Sequence, residues 1–316
     1  MKLQGYEEKS EKIRVAFEKL KAEHPEKLKQ RLKISFSNWV FGLEELEDSV
    51  ARLRKYGVDY IELGGNYGGP DIGYQADIKN TREILDKYEM KVSGVCGFFS
   101  DDNALSTNSN FKRQTAKDYI LREVEFCLEI GGSYMLVVPG TVGRSDCYDS
   151  SDFARSVNTL SEVADIFVKT GIQCAVEPIN AAEVPFCSTV GSILEYIEVI
   201  DHPGVQHING DIFHMHCGEP HVGEAILQCG ERLVNLHVED TNRLPLGNGM
   251  MDVDTVIRAL YLLGYNSPGH YITGEPLGPG RNSYAIMFGQ HDKKMLDTMV
   301  EQTVNVIRER EGALLG

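Results

Sequence analysis

The chain has 316 residues, 42% of them hydrophobic, and its 47 acidic against 32 basic side chains leave a formal net charge of −15. That surplus argues against nucleic acid or an anionic membrane as the main partner, and no apolar run is long enough to span a bilayer. The length exceeds that of a usual domain but suits an α/β barrel folded as one unit over residues 1–316.

The N-terminal stretch MKLQGYEEKSEKIRVAFEKL has no apolar signal core, so a cytoplasmic location is expected. Residues 1–30 read as a charged amphipathic helical extension that covers the barrel bottom or meets a partner subunit. Apolar, β-branched runs bounded by polar or glycine breaks then follow at 32–37, 58–63, 91–97, 133–138, 172–177, 205–211, 233–239 and 270–275. Between them lie segments of helical periodicity: LEELEDSVARLRKYG, TREILDKYEM, KDYILREVEFCLEIGG, DFARSVNTLSEVADIFVKTG and DVDTVIRALYLLGY, several closed by glycine. Residues 276–316 begin as a Gly-rich rim loop, a candidate lid, and end as a helix. Eight strands alternating with helices predict a (β/α)₈ TIM barrel. A doubly wound open sheet also alternates, but it offers no reason for chemically matched residues at the ends of the last four strands. Seven cysteines, scattered without CxxC pairs, read as reduced packing residues.

Those strand ends carry the chemistry. Glu177 closes IQCAVEP, Asp211 closes VQHINGD, His237 sits in RLVNLHVED and Glu275 closes HYITGEP. A barrel brings all four to one rim, and three carboxylates with one imidazole are hard ligands suited to Mn²⁺, Mg²⁺ or Co²⁺. Any one of them alone could be a rim residue bound to neighbouring backbone. Glu183, His214 and Arg243 follow the ligands on rim loops, where an imidazole can move a proton and a guanidinium can hold sugar oxygens or a developing enolate. The competing readings are a satisfied loop histidine for His214 and an ion pair with Glu239 or Asp240 for Arg243.

The set AVEPIN, GDIFHM, NLHVEDTNR with a following GNG, and TGEP resembles the xylose-isomerase-like barrel superfamily, in particular the ketose 3-epimerases and their relatives. The resemblance implies that Glu177, Asp211, His237 and Glu275 bind one divalent metal, often Mn²⁺. It implies that Glu183, His214 and Arg243 contact the substrate, and that Glu177 and Glu275 face opposite sides of the carbon that exchanges its proton. Endonuclease IV shares the barrel but uses a histidine-rich trinuclear zinc site, which this chain does not display.

Within the superfamily, the N-terminal extension and the segments SFSNWVFG, GGNYGGPDIGY, HCGEPHVGEA and EPLGPGRNSY resemble the larger subunit of bacterial C-glycoside deglycosidases. That likeness implies a hetero-oligomer with a smaller second subunit and a 3-oxo-C-glycoside substrate. Cleavage of the C–C glycosidic bond by β-elimination is therefore the leading expectation. The alternative is a ketose 3-epimerase or sugar isomerase, or an inosose dehydratase or isomerase. All start by abstracting a proton next to a ketone, with Glu177, Glu275 or His214 as base. A non-catalytic sugar-binding barrel is the third reading, and the intact ligand set argues against it.

Overall fold

The computed structural model describes residues 5–64, 77–280 and 282–316. Each expected apolar run becomes a parallel strand: β1 Ile34–Ser37, β2 Tyr60–Gly64, β3 Lys91–Cys96, β4 Tyr134–Val137, β5 Gln173–Val176, β6 His207–Asp211, β7 Leu233–Val238 and β8 Tyr271–Gly274. They close in sequence order, with β1 paired to both β2 and β8, so the chain forms the (β/α)₈ barrel expected from its alternation. The GGNYGGPDIGY segment beyond Gly64, and Arg281 of the tail loop, lie outside the described residues.

The outer layer comprises α1 Tyr6–Glu23, α2 Leu46–Lys55, α3 Ile78–Lys87, α4 Asn110–Glu129, α5 Asp152–Ser161, α6 Asp165–Thr170, α7 Val190–Ile200, α8 Ile212–Gly218, α9 Val222–Cys229, α10 Val253–Leu262 and α11 Lys293–Leu315. The segment DFARSVNTLSEVADIFVKTG, expected as one helix, is two. The Ser161 hydroxyl bonds the Val157 carbonyl at 2.8 Å. The following amides of Val163, Ala164, Ile166 and Phe167 each bond three residues back rather than four, a tightening that ends α5 and restarts the chain as α6. Helix α1 buries Ile13 and Phe17 and packs against α9 and α10, with Phe17 edge-on to Tyr261. Glu311 of α11 is fully buried and accepts from the Leu32 amide at 2.8 Å and the Tyr261 hydroxyl at 2.8 Å, which ties the last helix to the start of the barrel. Among the described residues no helix is long and apolar enough to cross a membrane.

Inside the barrel the layers change character along the axis. Tyr60, Tyr134, Ala175, Val234 and Tyr271 pack into an apolar floor. Above it lies a polar net: the Thr273 hydroxyl donates to Asn235 Oδ1 (2.7 Å), Asn235 Nδ2 to Asn209 Oδ1 (2.7 Å) and Asn209 Nδ2 to Glu177 Oε1 (2.7 Å). Side chains two apart on one strand point the same way, so Asn235 and His237, Asn209 and Asp211, and Thr273 and Glu275 each climb from this net to the C-terminal rim.

Candidate active site

Strand ends place the four expected metal-type residues on that rim. Asp211 is the last residue of β6, His237 lies in β7, and Glu177 and Glu275 directly follow β5 and β8. All are buried. His237 Nδ1 lies 3.2 Å from Glu275 Oε2 and 3.6 Å from Glu177 Oε1, so one ring nitrogen meets two carboxylates that are 98 positions apart in the chain. Asp211 serves two ends of the site. Its Oδ1 caps α8 by accepting from the amides of Phe213 (2.7 Å) and His214 (3.2 Å), while Oδ2 lies 3.5 Å from His214 Nε2.

The ligand-type atoms converge as two adjoining groups rather than one ring of four: Glu177, Asp211 and His214 in one, and Glu62, Cys96, His237 and Glu275 in the other. The His237–Glu177 contact bridges them. His214 therefore stands beside the acids, as its place three residues after Asp211 implies. Cys96 is buried, and burial pushes the ionisation of its thiol well up, which disfavours it as a ligand beside the carboxylates. Glu62 was not singled out from the sequence. Its signal is faint, a single carboxylate in the otherwise apolar strand YIELG.

The substrate-type residues form one network above the acids. Asn180 Nδ2 lies 2.9 Å from both His214 Nδ1 and Glu183 Oε1. Arg243 donates to Glu183 Oε1 (3.2 Å) and to the Ser283 hydroxyl (2.7 Å), and its NH2 lies 3.2 Å from His214 Nε2. Its guanidinium also covers the Phe213 ring at 4.3 Å. The expected tail loop completes the wall, because the Tyr284 hydroxyl donates to Glu183 Oε2 at 2.8 Å. Arg243 thus pairs with Glu183. Asp240, one of its competing partners, is taken up in bonding the amides of Thr241, Gly247 and Met251, the turn that the GNG motif serves. At Gly249 in that turn a Cβ would fall 2.2 Å from Asp240 Oδ1, so only glycine fits there.

The electrostatics of the site call for a cation. Burial pushes Glu177 up to about 7 and Asp211 up to about 6, and it raises Glu239 well above the ordinary carboxylate range. Burial acts against charge on His237, but Glu275 and Glu62 outweigh it and hold the ring proton well above the usual range. Burial, then the Arg243 charge, depresses His214, so that ring is neutral. Among the described residues Glu275 Oε1 and both oxygens of Glu239 are buried without a hydrogen-bond partner. Unpaired buried carboxylates are costly, and a divalent ion among hard oxygen donors and one imidazole offsets that cost. The residues present fit such an ion.

Comparison with known proteins agrees with this fold. The chain is 25% identical over 231 residues to a ketose 3-epimerase of Arthrobacter globiformis, covering 72% of this chain and 77% of that protein. It is 24% identical over 240 residues to a 3-dehydro-D-guloside 4-epimerase of Escherichia coli, covering 72% and 87%. In fold it resembles the D-allulose 3-epimerase from Methylomonas sp. crystallised with D-allulose, with a TM-score of 0.75 at 20% identity over 89% of this chain and 98% of the other. It also resembles a 3-keto-D-glucoside 4-epimerase from E. coli, with a TM-score of 0.70 at 19% identity over 90% and 99%. Residues 50–279 match the xylose isomerase-like TIM barrel family, and with the closed barrel and its acidic C-terminal rim the chain belongs to that family.

Proposed function

We propose that this chain is a divalent-metal-dependent epimerase of a keto-sugar, which removes and returns the proton on the carbon next to the carbonyl. The observation that carries the reading is the pair of carboxylates, Glu177 and Glu275, that come from opposite parts of the chain to within 3.6 Å and 3.2 Å of His237 Nδ1. An epimerase needs two acid–base groups flanking one carbon. The curated relatives named above are epimerases, one of a ketose and one of a 3-dehydro-glycoside. That moves the weight from β-elimination of a 3-oxo-C-glycoside, the leading sequence expectation, to epimerisation.

In this reading Glu177, Asp211, His237 and Glu275 hold the ion, for which Mn²⁺ suits the hard donor set and Mg²⁺ or Co²⁺ are the alternatives. When bound, the ion supplies Lewis-acid polarisation of the carbonyl and orientation of the adjacent hydroxyl. The rest falls to the protein. Glu177 and Glu275 take the proton on one face and give it back on the other. Neutral His214, fixed by Asn180 through Nδ1, turns Nε2 toward Asp211 and Arg243 to meet a substrate oxygen. Arg243 has its Nε without a partner among the described residues, leaving that donor for negative charge developing on the substrate. Glu183 accepts a sugar hydroxyl from the rim.

The test is incubation in D₂O with free ketohexoses and with 3-keto-glucosides, followed by NMR. The reading expects deuterium at the inverted carbon as the epimer accumulates. Release of an aglycone from a 3-oxo-C-glucoside, without epimer or exchange, would restore the elimination reading. Absence of exchange in every substrate by the metal-loaded protein would remove the catalytic one.

A further inference from the structure

We propose that Glu62 is a positioning residue: its carboxylate holds the Nε2–H of His237 and so presents Nδ1 to the ion between Glu177 and Glu275. The inference deepens the metal-site reading above and rests on it.

Glu62 is fully buried on β2, and its two oxygens each lie 3.1 Å from His237 Nε2. A carboxylate straddling one nitrogen at hydrogen-bond distance accepts a ring proton there and selects the tautomer with its lone pair on the opposite nitrogen. That opposite nitrogen is the one facing Glu275 and Glu177. Glu62 is itself held by two donors, the Tyr134 hydroxyl at 2.7 Å and Asn235 Nδ2 at 3.2 Å, both on fully buried side chains. The β2–β3 register shifts between Ile61 and Glu62, an irregularity of the kind that re-aims a side chain. Asn235 also donates to Asn209, and Asn209 to Glu177. The same buried net therefore orients an imidazole and a carboxylate of the candidate metal centre. The rival arrangement places the ion on the Nε2 side, with Glu62 itself as a ligand.

The experiment compares wild type with Glu62→Gln, Glu62→Asp and Tyr134→Phe. Mn²⁺ is titrated calorimetrically into the metal-free proteins, and the Co²⁺-loaded forms are examined by ¹H NMR for an exchangeable histidine ring N–H. A positioning role predicts that Glu62→Gln still takes up one Mn²⁺ per chain but binds it about 10–100-fold more weakly, the scale for loss of a partner behind a metal-bound histidine. It also predicts partial recovery in Glu62→Asp, a smaller loss in Tyr134→Phe, and a solvent-protected N–H in wild type that exchanges faster in the variants. Folding is checked by circular dichroism, and if Glu62→Gln does not fold, Glu62→Asp and Tyr134→Phe carry the comparison. Unchanged Mn²⁺ affinity with unchanged N–H protection would overturn the inference, and so would complete loss of stoichiometric Mn²⁺ from a folded Glu62→Gln, which would make Glu62 a ligand. A wild type that binds no Mn²⁺ or Co²⁺ would instead sink the metal reading itself.

Discussion

Replacing Arg243 with methionine separates substrate chemistry from metal binding and from stability. The side chain is buried against Phe213 and Tyr284 and paired with Glu183, Ser283 and His214. Breaking a buried ion pair costs about 3–5 kcal/mol. Glu183 is partly exposed, with 22% of its side chain accessible, and can rehydrate, so the lower end of that range, about 3 kcal/mol, applies. With an unfolding entropy of about 2.1 cal/mol/K per residue over 316 residues, the melting temperature should fall by about 5 °C. Metal content should stay near the wild-type level, because Arg243 acts on Asp211 by charge alone, while its side-chain hydrogen bonds among the described residues go to Glu183, Ser283 and His214. Turnover should fall by about 10²–10³-fold, the scale for a lost electrostatic donor. Arg243→Lys keeps the charge without the planar fork, so it should recover part of the stability and little of the rate. Metal analysis, thermal melting and steady-state kinetics on the same preparations decide it. Wild-type turnover in Arg243→Met would refute the assignment, and loss of metal would move Arg243 into the support of the ion site.

Asp211→Asn and Asp211→Ala should both lose stoichiometric metal and turnover, but only the alanine variant should lose stability, by about 1 kcal/mol, and so melt lower, because asparagine still caps α8. Equal melting temperatures would refute the capping role, and retained metal would place the site elsewhere. Metal affinity should climb with pH and level off above neutrality, because Glu177, raised to about 7 by burial, must release its proton to solvent to bind the ion. The same shift makes the metal-free protein lose stability as pH rises from the ordinary carboxylate range toward 7, since the folded state holds that proton more tightly. A pH-independent metal affinity between pH 5.5 and 8, where displacing one proton held at about 7 should change it by roughly 30-fold, would contradict it. Tyr284→Phe, which removes a donor to Glu183, should raise KM several-fold with metal content unchanged, and an unchanged KM would detach the tail loop from the substrate site.

Local pattern was enough for the barrel and for most of the rim. Apolar runs of strand length alternating with helical periodicity specify parallel strands, and a carboxylate or imidazole at the end of such a run reads as a rim residue wherever the strands close on themselves. Glu177, Asp211, His237 and Glu275 were legible for that reason. The split of α5 from α6 was not, because periodicity continues across Glu162–Ala164 while the hydrogen bonding beneath it shortens. Pairings across the barrel were hidden too. Glu62 meets His237 across 175 positions, and Arg243 meets Glu183 across 60 rather than the acids beside it in the chain. Those choices depend on strand register and on which face each side chain takes, and only closure of the barrel sets them. The sequence by itself determined which donors reach the rim. The tertiary structure decided which nitrogen of His237 faces Glu177 and Glu275 and which carboxylate stands behind it, because each is a distance between strands that meet only in the closed barrel.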